Sequence, residues 1–188
     1  LLRFYAYRPE SASLLPLILH DAAQGRYESL LSQSRALSGD IGDSIALGMH
    51  LSVSCTEDPE IAIRPEDDAT IMGNDIVEFI QAQCAIWPKG KRDPDFRTPL
   101  RGDLPLLAIS GELDPVTPPR YGDEVVKTLP KARHLVLPGQ GHSVLTTGCM
   151  PKLFAQFVET ADAKNLDAEC LKRLKPTPAF AGNYGWEP

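Results

Sequence analysis

Asp114 and His142 are the residues whose types and surroundings suit proton-transfer chemistry. An imidazole can take a proton from a nucleophile, and a carboxylate can orient that imidazole and stabilise its charged form. The stretch around them reads as strand, acid loop, helix, strand and glycine-rich histidine loop. Pro105 to Gly111 is a short apolar run closed by a turn residue, the pattern of a strand buried on both faces of a parallel sheet. Pro115 keeps Asp114 out of the helical region, so the acid stays on the loop. Thr117 suits the N-cap of a helix opened by Pro118 and Pro119, and Tyr121, Val125, Val126 and Leu129 follow at helical spacing. His134 to Leu137 forms a second strand, and Pro138-Gly139-Gln140-Gly141-His142 comes after it. Both polar residues thus follow the C-terminal ends of strands, where open α/β sheets place their sites. Glu112 and Asp123 compete for the acid's role, the first crowded against the strand end and the second inside the helix. His134 opens a strand and suits packing or capping.

A nucleophile is harder to find. The sequence contains no G-x-S-x-G, and Gly42-Asp43-Ser44 fails because Ala46 stands where the second glycine is required. Ser44 reads as a helix-start serine. The order acid, then histidine, is that of the end of an α/β-hydrolase. More closely, "SGELDPVTPP" and "LPGQGHSV" resemble the TAP-like, secreted tripeptidyl-aminopeptidase branch of the proline-iminopeptidase-like α/β-hydrolases. The resemblance continues through "SVSCTEDP", "CAIWP" and "GCM", from about Gly48 to Pro176. It implies an α/β structure, the C-terminal part of an α/β-hydrolase fold with a mostly helical lid. It also implies a Ser-His-Asp triad in which Asp114 and His142 are the acid and base, with the serine and the oxyanion hole outside these residues. Two rival readings stay open: an esterase-type α/β-hydrolase sharing only the acid and histidine loops, and a stand-alone, non-catalytic binding domain.

The 188 residues, 43% hydrophobic and 23% charged, suit one good core or a domain with an appendage. A net charge of -6 leaves no basic footprint for nucleic acid or anionic membrane. No apolar run reaches the length of a membrane span, and the best candidate, Leu14 to Leu19, is broken by Pro16. Leu1 heads the chain, so a processed product or part of a longer protein is expected, with any signal peptide out of view. Residues 1 to 40 read as helical, with Gly25 and Gly39 as stops and His20 on the surface. A short helix from Ile41 is expected to lead into a strand, Met49 to Cys55. Pro65 to Cys84 then reads as one long helix, with Ile71, Val77, Ile80 and Cys84 inward. Lys89 to Gly102 is linker-like, which divides the chain into a helical lid region, 1–98, and a C-terminal α/β portion, 99–188. Pro151 to Ala161 forms an amphipathic helix with Leu153, Phe154, Phe157 and Val158 inward. From Pro176 onward no regular structure is expected.

Glu57 and Asp58, adjacent carboxylates after the expected strand, are either an acidic turn or an anchor for a cation. The resemblance favours the anchor, binding the free α-ammonium of a peptide substrate, with Glu57 preferred because Pro59 constrains Asp58. Four cysteines are compatible with two disulfides or with four thiols. The resemblance, to an exported branch, implies disulfides and a secreted, periplasmic or cell-envelope location. The expected pairs are Cys55–Cys84, bracing the lid strand to its following helix, and Cys149–Cys170, bracing the last helix to the segment after it. No metal or other cofactor is expected. Beyond the peptide substrate, the open edge of an incomplete sheet suits a missing N-terminal half or a second copy of the chain.

Overall fold

The computed structural model of the protein describes residues 2–58, 61–70, 73–182 and 185, with the side chains of 37–44 left aside. In chain order the helices are α1 (Leu2–Tyr5), α2 (Pro9–Ala12), α3 (Leu15–Ala23), α4 (Glu28–Ser44), α5 (Leu47–Glu57) and α6 (Asp75–Ile86). Strand β1 (Leu106–Gly111), helix α7 (Pro119–Val126), strand β2 (Ala132–Leu137) and helix α8 (Met150–Thr160) follow. The chain forms two compact units, Leu1–Leu37 with Pro99–Pro188, and Ser38–Thr98. The first 37 residues therefore go with the C-terminal portion and not with residues 38–98. Backbone hydrogen bonds hold them there, from His142 N to Tyr7 O at 2.6 Å and from Phe180 N to Ser13 O at 2.8 Å.

In the first unit β1 and β2 pair in parallel, from Leu106 opposite Ala132 to Gly111 opposite Leu137. Alternation along a strand sends successive side chains to opposite faces. Leu107, Ile109, Leu135 and Leu137 share one face and join Val144, Leu166, Leu171 and, from α8, Met150 and Leu153 in the core. Each fully buried leucine of this cluster, such as Leu135 or Leu137, contributes about 1.5–3 kcal/mol by leaving water. Ala108, Ser110 and His134 take the other face, on the side of α7. Leu106 to Ile109 are only half-buried, unlike a strand covered on both sides. The reason is that, among the described residues, the sheet has two strands and β1 keeps an unpaired edge. Along α8 the expected inward stripe narrows to Leu153 and half-buried Phe157, while Phe154 and Val158 are exposed. The Cys149–Cys170 disulfide ties the start of α8 to the 3-10 turn Glu169–Arg173.

The second unit departs from the expected strand. Residues Leu47–Glu57 form α5, because Leu47, Leu51 and Cys55 recur every four residues and bury Leu51 and Cys55. Met49 and Val53, which complete an apparent alternation, are exposed. The long helix expected from Pro65 is also interrupted. A 3-10 turn, Pro65–Ala69, is separated from α6 by Gly73 at φ +52 and by buried Asn74. The Asn74 side chain bonds the Arg64 N–H, the Arg64 carbonyl and Asp68, taking the place of helical partners. Ile71 lies outside the described residues. Helix α6 ends at Ile86, with Trp87 extended before Pro88. Its Cys84 is bonded to Cys55, and Leu51, Ile80 and Trp87 complete the small core around that bridge. Gly39 does not stop α4, which runs on to Ser44, so Ser44 ends a helix instead of starting one; its side chain is outside the described set.

Candidate active site

Asp114 lies between β1 and α7, where the loop folds back onto its own carboxylate. Oδ1 accepts the N–H groups of Val116 at 2.8 Å and Thr117 at 3.0 Å. Oδ2 accepts the Thr117 hydroxyl at 3.0 Å. Pro115 has no N–H, so the next two amides turn to the carboxylate, as in other aspartate-led turns. Thr117 thus orients the acid and does not cap α7, whose N-cap position is Pro118 with no side-chain bond. A charged acceptor next door outcompetes the helix start.

The histidine loop is fitted to the acid loop backbone to backbone. Glu112 N donates to Leu137 O at 3.1 Å and Leu113 N to Gln140 O at 2.8 Å. The Glu112 carboxylate accepts the Gly139 N–H at 2.7 Å. A Cβ on Gly111 would stand 1.9 Å from the Gly141 carbonyl, and one on Gly141 would stand 2.3 Å from the Tyr7 carbonyl. Only glycine permits this stacking of two loops on the N-terminal segment. Ser143, at φ 66, holds a backbone conformation that side chains rarely adopt, directly after the histidine.

These loops bring together two residues 28 apart in the chain. His142 Nδ1 stands 2.9 Å from Asp114 Oδ2. The acid's side chain is 4% exposed and the imidazole 32%, so the acid is sheltered while the base is reachable. Burial by itself raises the Asp114 pKa. The bonds from the Thr117 and Val116 amides, His142 and the Thr117 hydroxyl together outweigh it and hold the carboxyl below its ordinary range. An ionised carboxylate only accepts hydrogen bonds, so Nδ1 carries the proton. Nε2 is then the basic nitrogen, able to take a proton from a nucleophile.

Two cavities meet at His142. One, about 300 Å³, passes Asp114 and Thr117 and has apolar walls from Ile109, Val144 and Phe154. The other, about 510 Å³, runs between the histidine loop and Arg8, Glu10 and Ser11 of the N-terminal segment. Both volumes fall within the usual range for small-ligand sites.

The competing acids are otherwise engaged. Glu112 pins the histidine loop. Asp123 Oδ1 stands 2.8 Å from His134 Nδ1, and His134 Nε2 stands 2.9 Å from the Ser110 hydroxyl. This second Ser, His and Asp chain is closed, since the His134 side chain is 4% exposed and Ser110 is buried. It ties β1, β2 and α7 together.

Glu57 and Asp58 lie at the end of α5 in the other unit. Asp58 Oδ1 pairs with Arg97 at 3.1 Å, and the Glu57 carbonyl accepts Arg92 at 2.7 Å. Pro59 is outside the described residues. Among the described residues no group of three His, Cys, Asp or Glu side chains could hold a metal ion, and no helix is long and apolar enough to cross a membrane.

Sequence reasoning overlooked Tyr7, Arg8 and Glu10, whose place beside His142 depends on a contact spanning most of the chain. The second role of Thr117 had a signal, its position three residues after an aspartate. A family model described as TAP-like protein matches residues 69–170, more than half of the chain, including both the acid and histidine loops. No curated protein and no solved structure gives a match.

Proposed function

Because the chain belongs to the TAP-like family of α/β-hydrolases, we propose that it supplies the acid and base of a serine hydrolase, Asp114 and His142. The nucleophilic serine and the oxyanion hole lie outside these residues, and the whole enzyme is an exported aminopeptidase releasing short peptides from free N-termini. The observation carrying this reading is the 2.9 Å contact between a sheltered Asp114 and a reachable His142. In such a site Nε2 takes the serine proton as the hydroxyl oxygen attacks the substrate carbonyl, and Asp114 stabilises the imidazolium. The imidazolium then protonates the leaving amine, and water repeats the attack on the acyl-enzyme. Two disulfides fit an oxidising compartment and support export. An aminopeptidase must also hold an α-ammonium at a fixed distance from the reacting carbonyl, which calls for a carboxylate. Glu57 and Asp58 are the candidates from the sequence, and Asp58 already pairs with Arg97.

The test uses the complete protein that contains this chain, with an unblocked peptide substrate. His142→Ala and Asp114→Asn should each lower kcat by roughly 10³–10⁴, with folding intact by circular dichroism. A near-normal rate in His142→Ala would end the assignment. The 188 residues alone should turn over neither peptide nor ester, and turnover by this chain would place the nucleophile within it.

A further inference from the structure

The larger cavity at His142 has a wall that the sequence did not suggest. Tyr7 accepts the His142 amide on its carbonyl and sets its ring 5.4 Å from the imidazole. The residues after it, Arg8 to Ser11, are thereby held at the cavity's rim. Arg8 is the extended residue before α2, and Glu10 lies in the first turn of that helix. Both are exposed, and neither side chain has a hydrogen bond or ion pair among the described residues. The cavity thus offers one cation and one anion beside the base. A simple cation or anion gains at one of them and loses at the other, whereas a ligand of both signs gains twice.

We propose that this cavity receives the end of a peptide that carries an acidic group close to its free N-terminus. Glu10 pairs with the α-ammonium and Arg8 with the carboxylate. This rests on the aminopeptidase reading, narrows its substrate class, and assigns the ammonium to Glu10 in place of Glu57, because Glu10 lines a cavity that His142 lines too. Exposed charge pairs contribute modestly, so each contact should be worth about tenfold in kcat/KM at most.

Four peptides with one scissile bond test it in the complete protein: free or acetylated at the N-terminus, with Glu or Gln as the second residue. Wild type should prefer the free terminus and the Glu peptide. Glu10→Gln should erase the first preference and keep the second, Arg8→Gln should do the reverse, and Glu57→Gln should keep both. Both cavity residues are exposed, so both variants should fold like wild type, with circular dichroism as the check. A preference for free termini that survives Glu10→Gln overturns the Glu10 assignment and leaves the aminopeptidase reading standing. Equal cleavage of free and acetylated peptides by wild type overturns both. A wild type indifferent to Glu or Gln, or a Glu preference that survives Arg8→Gln, overturns the role of Arg8.

Discussion

The proposed role of Asp114 beside His142 requires the ionised carboxylate, and the hydrogen bonds it accepts favour that form. Its folded-state pKa lies below the ordinary 3.8. Such a group contributes stability above its unfolded pKa, and that contribution is lost as pH falls through the folded value. Wild type should therefore lose Tm below about pH 4 more steeply than Asp114→Asn, which lacks the ionisation. Superimposable Tm profiles between pH 2 and 6 would show that the fold does not favour the ionised form. Gly111 gives a second residue-scale test, because its added Cβ would meet backbone, which cannot rotate aside. Gly111→Ala should cost about 3 kcal/mol or more by chemical denaturation, at the upper end of overpacking effects. A loss under about 1 kcal/mol would mean that the two loops can part freely.

At the scale of elements, β1, α7 and β2 are held by packing on one face and by His134 on the other. Gly122 is required there, since a Cβ would stand 2.5 Å from His134 Nε2. His134→Ala removes two hydrogen bonds and leaves a cavity under α7, at an expected cost of about 2–4 kcal/mol. Asp123→Asn should cost under about 1 kcal/mol, because that partner is 62% exposed. Denaturation midpoints showing the reverse order would shift the weight of the bracket to Asp123. These same elements were the legible part of the sequence. Apolar runs ending in Gly111 and at Pro138, with Pro118-Pro119 between them, carry local signals that the fold obeys. Helix α5 was not legible, because Met49, Leu51, Val53 and Cys55 satisfy a period of two while Leu47, Leu51 and Cys55 satisfy a period of four. Burial decides between them, and burial is tertiary. The Asp114–His142 pair could be read because strand ends predict where loops gather. Arg8 and Glu10 could not, since Tyr7 reaches His142 across the whole unit.

At the scale of the molecule, the two units have cores of unequal strength. Of the described residues, the first unit buries seven apolar side chains in one cluster beneath a hydrogen-bonded strand pair. The second buries three, Leu51, Cys55 and Cys84, and two of these are the halves of its own disulfide. Each bridge closes a modest loop and contributes about 3 kcal/mol in the chain-entropy account. The first unit can lose that much and keep its sheet and core, whereas the second has little else to hold α5 against α6. Reduction should therefore loosen the molecule in sequence. Hydrogen exchange of the whole chain, followed by mass spectrometry over a series of reductant concentrations, reads this directly. Amides of Leu47–Glu57 and Asp75–Ile86 should lose protection first, while those of Leu106–Gly111 and Ala132–Leu137 keep theirs. Loss of protection in all four segments at the same reductant concentration would show that the units unfold as one, and that the larger core is no more self-sufficient than the smaller.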